Sequence, residues 1–215
     1  MAKGCDSSWD FDYKSRVDAL VDEGYVFIGR YLNHAEGYRN RLTVSEAERL
    51  SEAGIFIVSL YEHGDGDQIE HFTRANGIAD AQDAISLAEE IGMPTGNPIY
   101  FCIDTDVRKS EMSTNIVPYV QGIISELEDS GYKLGIYGPK PVCKFIRGTY
   151  SATERYMMIS DSPGWGESGW SSSEQDFDDW NIRQYEWNQP LPGVSSVVID
   201  ECESSDYGGG GWKLN

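Results

Sequence analysis

Five acidic residues close short apolar runs of this chain. Asp6 ends a run at Lys3–Asp6, Glu62 ends Ile55–Glu62, Asp104 and Asp106 end Ile99–Asp106, and Asp200 ends Ser196–Asp200. Carboxylates gathered in one cavity oppose one another's ionisation, and desolvation adds to that opposition. A purely structural role rarely asks for such a cluster, whereas glycoside hydrolysis works with paired carboxylates, one holding a proton and one ionised. Asp6, Glu62, Asp104, Asp106 and Asp200 are therefore the candidate catalytic groups. Taken singly, each has a plainer reading: Asp6 can cap the turn that follows it, and Glu62 can pair with Arg30. Arg30 and Tyr31 near the end of the second run, Tyr137, Gln184, and Trp165 in a Gly-rich loop are the candidate substrate-binding groups. Tyrosine and amide groups suit sugar hydroxyls, and an indole suits the face of a sugar ring.

Other chemistries lack their residues. His34, His63 and His71 form no HExxH or other metal signature, and no P-loop, post-strand GxGxxG or GxSxG elbow occurs. No cofactor is expected and no metal site is assigned, although Asp104-x-Asp106 keeps a metal-dependent carbohydrate-active enzyme open as an alternative.

The elements that must position these acids alternate between strand-length apolar runs and helical patterns, the expected order of βα units. Strands are predicted at Lys3–Asp6, Tyr25–Leu32, Ile55–Glu62, Ile99–Asp106, Lys133–Tyr137, Tyr156–Ser160, Trp180–Trp187 and Ser196–Asp200. Helices are predicted at Ser15–Glu23, from a Thr43-x-x-Glu46 capping box to Ala53, over Phe72–Ile91, from about Glu111 to Ser130, and at Pro139–Ile146. Residues 161–179 carry no helical period, so an outer helix is expected to be missing between strands six and seven. The reading is a (β/α)8-type barrel with all strands parallel, whose C-terminal rim collects the acids. Along strand four the period of two puts Asp104 and Asp106 above Tyr100 and Cys102, with Ile99, Phe101 and Ile103 facing the helices. One domain is expected over residues 1–207, with Gly208–Gly211 and Trp212 as a flexible terminus or the stub of a linker.

Composition narrows the partners. Against 36 Asp and Glu stand 17 Lys and Arg, a net charge of −19, which disfavours nucleic acid and anionic membranes. No apolar run approaches the roughly 18 residues of a membrane span, and no signal-peptide pattern opens the chain; cytoplasmic and exported forms both stay open. Cys5, Cys102, Cys143 and Cys202 are widely spaced and read as buried thiols. A monomer is expected.

Several segments resemble a known family: Gly4-Cys5-Asp6, Phe27–Leu32, Leu42-Thr43 with Glu46, Gly77–Ala84, Pro98–Phe101 with Asp104 and Asp106, Gly131-Tyr132, Gly135–Gly138 and Val142-Cys143. Their order and spacing are similar to domain of unknown function 1906, glycoside-hydrolase-like barrels related to the family 25 muramidase lysozymes. The resemblance runs from residue 4 to about 203 and is weakest over 161–180. It implies a barrel with an acidic pocket and a bacterial cell-wall polysaccharide as substrate. The related lysozymes carry an Asp on strand one, an Asp-x-Glu on strand four and an Asp near the last strand; Asp6, Asp104 and Asp200 match, while Asp106 stands where the acid/base Glu is expected. Either Glu62 takes over as general acid, or Asp106 serves despite its shorter reach, or the domain binds glycan without cutting it.

Overall fold

Eight strands close into a barrel in chain order. The computed structural model describes residues 1–34, 40–64, 68–150, 154–206 and 208–214. Its strands are β1 (Ala2–Asp6), β2 (Phe27–Tyr31), β3 (Phe56–Tyr61), β4 (Pro98–Cys102), β5 (Lys133–Pro139), β6 (Arg155–Ser160), β7 (Ile182–Pro190) and β8 (Val198–Ser204). Around them lie α1 (Lys14–Asp22), α2 (Val44–Glu52), α3 (Arg74–Glu90), α4 (Val117–Leu127), α5 (Lys140–Thr149) and the single turn α6 (Ser172–Gln175). The regular helix expected to be absent between strands six and seven is indeed replaced by loop and that one turn.

One expectation needs correction. Pairing is parallel from β1 through β7, but β8 is antiparallel to both β7 and β1. Residues 191–197 join β7 to β8, too few for the dozen or so that a parallel crossover needs. The chain turns back as a hairpin, and no helix lies between the last two strands.

The two-residue period sorts the strands into two faces. Phe27, Val58, Leu60, Tyr100, Cys102, Tyr137, Met158, Ile182 and Cys202 fill the barrel interior. Ile28, Ile57, Ile99, Phe101, Ile103, Leu134, Ile136 and Ile159 join the apolar faces of the helices in an outer layer. Helices α3 and α4 meet backbone to backbone at Gly77, where a Cβ would lie 2.1 Å from the Tyr119 carbonyl oxygen. All four cysteines are free thiols and buried. No helix among the described residues is long and apolar enough to cross a membrane.

The Gly-rich tail also departs from expectation. Gly208–Gly211 passes under the barrel and seals its N-terminal end. The Tyr100 hydroxyl donates to the Gly209 carbonyl (2.7 Å), and the Trp212 backbone makes an antiparallel bridge with Ile57. The Trp212 indole N–H donates to Ser59 Oγ (2.9 Å), and the ring is buried in the outer layer. A Cβ on Gly209, whose φ is +58°, would sit 2.6 Å from the Tyr100 hydroxyl. The glycines answer a packing demand at the floor, not a need for a flexible linker.

Candidate active site

Asp6 ends β1 and stands directly opposite Asp200 of β8. Because β8 runs backwards, Asp200 lies near the start of its strand yet on the rim where the parallel strands end. The expected rim is right, and the expected strand direction is not. Asp6 is buried, 3% exposed, and its Oδ1 accepts from Gln184 Nε2 (2.9 Å) and Cys202 Sγ (3.3 Å). Burial, then the Asp200 charge, pushes the Asp6 carboxyl up to about 8, with Asp104 adding in the same direction and the two hydrogen bonds opposing. Burial raises Asp200 as well, countered by the Asn188 N–H that donates to its Oδ1 (2.7 Å). The pair therefore keeps a proton at neutral pH, as expected of two carboxyl groups sharing a desolvated site.

Gln184 holds this pair from one side. Its Nε2 reaches Asp6 and, at 3.5 Å, Asp200 Oδ2, while its Oε1 accepts from Trp187 Nε1 (2.8 Å), the Tyr137 hydroxyl (2.9 Å) and Ser160 Oγ (3.2 Å). An indole N–H can only donate, so Trp187 fixes which end of the amide faces it and which faces the acids. Gln184 and Tyr137, expected on substrate, are joined by a hydrogen bond, and through the Gln184 amide to Asp6. Both are buried. Trp187 itself escaped the sequence reading: β7 is irregular between Gln184 and Gln189, and these bulges break the parity that would have located it.

Three further groups border the cluster. Burial, then the charges of Asp6 and Glu62, raises the Tyr31 phenol, so Tyr31 and Glu62 belong to the same rim. Glu62 is half-buried just beyond β3, its carbonyl held by Asn33 Nδ2 (2.8 Å). Asp104, half-buried beyond the end of β4, acts with burial and Asp6 to raise the Tyr137 phenol. Glu62, Asp104 and Asp200 are thus all half-buried, and Asp6 is the buried carboxyl of the cluster.

Three expected site residues stand apart. Arg30 is 0% exposed and lies between β2 and α2, where its Nε donates to Glu46 Oε1 (2.6 Å) and its guanidinium also reaches the Ser7 and Asn40 carbonyls. Parity explains the correction: Tyr31 faces in, so its neighbour faces out. Glu46, expected to complete a capping box with Thr43, donates its backbone N–H to Thr43 Oγ1 (3.2 Å) but spends its carboxylate on Arg30. Asp106 is exposed and turned to the β6–β7 loop, accepting from Gly166 N–H (2.8 Å) and Ser168 Oγ (3.5 Å). Trp165 is half-buried and lines a separate cleft of about 230 Å³ with Lys140, Pro141, Ser160, Asp161 and Ser162. With Asp106 engaged by the loop, and no three His, Cys, Asp or Glu converging among the described residues, the Asp104-x-Asp106 metal alternative finds no ligand set.

The profile of the Rv2525c-like, glycoside hydrolase-like domain matches residues 18–204. The Bacillus subtilis protein FadG is 31% identical over 147 residues, covering 66% of this chain and 25% of its own length; the chain thus spans about a quarter of that relative. The crystal structure of the Mycobacterium tuberculosis Tat-secreted protein Rv2525c superposes with a TM-score of 0.75 at 22% identity, covering 98% of each chain. A family 25 glycosyl hydrolase from Bacillus anthracis gives a TM-score of 0.56 at 11% identity, covering 95% of this chain and 89% of its own. The Streptococcus pneumoniae autolysin LytC, solved with a synthetic peptidoglycan ligand, gives 0.58 at 13% identity over 94% of this chain and 46% of its own.

Proposed function

Since the chain belongs to the Rv2525c-like, glycoside hydrolase-like domain family, we propose that it is a glycosidase acting on bacterial cell-wall polysaccharide of the peptidoglycan type. The observation that carries this reading is the Asp6–Asp200 pair, whose carboxyl groups both resist ionisation, with Glu62 and Asp104 close enough for their charges to act on the same rim. Environments that separate the protonation of neighbouring carboxyl groups are what acid–base division of labour requires. In this mechanism Glu62 donates a proton to the leaving glycosidic oxygen, Asp104 stabilises the oxocarbenium-like charge on the sugar, and a water then adds to the anomeric carbon and gives its proton back to Glu62. Asp6 and Asp200 keep the floor of the site from accumulating full negative charge, and Tyr31 borders the sugar. The peptidoglycan ligand of LytC, a fold neighbour, supports the choice of polymer.

Release of reducing ends from purified peptidoglycan, with mass spectrometry of the products, tests the proposal. Wild type should release fragments, and Asp104→Asn and Glu62→Gln should each cut the rate by at least about a hundredfold, the low end for loss of an acid–base group. The Asn variant should melt at or above wild type at neutral pH, because it removes a charge that opposes Asp6. Its clear destabilisation would mark Asp104 as a structural group and sink its assigned role.

A second reading has one observation in its favour. Asp106, at the position where the resemblance expects the acid/base Glu, is occupied by the Gly166 loop. A domain that binds glycan without turnover would co-sediment with peptidoglycan and release nothing.

A further inference from the structure

Asp106 and the cleft beside it form a connected unit. The loop after β6 is pinned to the loop after β4 at several points: Gly166 N–H and Ser168 Oγ on the Asp106 carboxylate, Lys109 N–H on the Ser168 carbonyl (3.2 Å), and the Trp170 indole N–H on the Val107 carbonyl (2.8 Å). Gly166 has φ +75°, and a Cβ there would lie 2.7 Å from the Pro141 ring, so the loop is packed down on the start of α5 at that point. Trp165, the residue before Gly166, stands at the edge of the 230 Å³ cleft, with its ring half-exposed.

The walls of the cleft are polar and carry both signs, Lys140 against Asp161 and Glu167. Burial would raise the Asp161 carboxyl, but Lys140 and Arg183 together hold it below its ordinary value, and Arg183 also meets Glu203 (3.0 Å). Ser160 and Ser162 hydroxyls face each other at 3.0 Å. Ser160 also donates to Gln184, whose amide holds Asp6. The cleft is therefore two hydrogen bonds from the buried Asp6, on the same rim.

We propose that this cleft is a saccharide subsite in which Trp165 stacks on one pyranose ring of an N-acetylhexosamine polymer, and that Asp106 is the positioning residue that holds it in place. The assignment rests on the polysaccharide reading above and adds where one sugar unit sits. A half-exposed indole beside hydroxyl, amide and carboxylate groups suits an uncharged sugar ring, and the one acid in excess among Lys140, Asp161 and Glu167 disfavours an anionic ligand. It also gives Asp106 a task that needs its oxygens as acceptors and does not need its proton.

That distinction makes the proposal testable. The hexamer of β-1,4-linked N-acetylglucosamine is titrated into the full chain by calorimetry. Wild type should bind, and Trp165→Ala should weaken binding at least about tenfold, a typical loss for a buried aromatic anchor. Asp106→Ala should weaken it comparably, whereas Asp106→Asn, whose amide oxygen can still accept from Gly166, should recover most of the loss. A proton donor would not be rescued by Asn in turnover, so peptidoglycan release is measured on the same variants, with far-UV circular dichroism to confirm folding. Unchanged affinity in Trp165→Ala, or no binding by wild type, overturns the subsite even if wild type cuts peptidoglycan. Asp106→Asn as weak as Asp106→Ala overturns the positioning role. Binding that depends on Trp165 in a chain that releases nothing leaves the subsite standing and ends the hydrolytic reading.

Discussion

At the floor of the barrel the Tyr100 hydroxyl meets a carbonyl of the tail and the Trp212 indole meets Ser59; at the mouth Asp6 and Asp200 face each other and share one amide, that of Gln184. Both ends are buried and polar. At the floor each of these donors has an uncharged acceptor, so burial costs little beyond ordering the groups. At the mouth two acids occupy a desolvated site that disfavours their charge. The same strands thus carry one end where polar groups serve cohesion and another where they oppose it. Such a division is familiar in barrels, where the N-terminal face serves stability and the C-terminal face chemistry.

The comparison breaks most visibly at the floor. Trp212→Ala should cost about 3–5 kcal/mol, the usual range for removing a buried aromatic, while peptidoglycan turnover per folded molecule stays at the wild-type level. Urea unfolding beside the turnover assay would show it. A turnover loss not explained by the unfolded fraction would mean that the two ends are coupled.

At the mouth the sign reverses. Asp6 has a folded value of about 8 against an ordinary 3.8. A raised value means stability that is fully present at low pH and lost as pH climbs through that interval, since the folded chain holds a proton the unfolded chain has released. Wild type should lose up to about 1.4 kcal/mol per pH unit across the window, and Asp6→Asn should abolish that slope. The variant should therefore gain on wild type between about pH 4 and pH 8. Parallel stability–pH profiles for the two proteins would refute the unequal treatment of charge at the two ends.

A smaller test sits beside Asp200. Among the described residues Asn188 is the non-glycine residue with positive φ, +55°, and its N–H donates to Asp200 Oδ1. Asn188→Gly relieves the backbone and keeps the N–H, so a gain of up to about 1 kcal/mol is expected. Thermal melts would register it, and a loss would show that the Asn side chain contributes a contact of its own.

Much of this was legible before any coordinates. Strand-end position put Asp6 and Tyr31 on one rim, and the period of two along strand four placed Tyr100 and Cys102 beneath Asp104. The same rule, applied to Arg30, would have turned it outward, since adjacent residues of a strand cannot both face in. Asp106 lies beyond the end of β4, where strand parity has no force. The direction of β8 was hidden in its composition but present in the seven residues that precede it, which are too few for a crossover. Trp187 was not legible, because bulges shift register without a clear sequence mark. In the tail, four glycines suggested freedom, and Trp212 was the residue that argued for anchorage.

The antiparallel seam has a consequence for how the molecule comes into being. Asp6 and Asp200 belong to the first and last strands, so their pairing is among the contacts of greatest sequence separation in the chain. Contacts of that kind carry the largest loop-closure entropy and tend to form late. During synthesis the first strand emerges long before its partner exists, and until the ring shuts its inward acid can remain hydrated and ionised. Closure then desolvates the two carboxyl groups and draws a proton from water, so completion of the ring is a protonation event. At equilibrium the closed ring is accordingly favoured by acid and progressively disfavoured as the medium becomes alkaline.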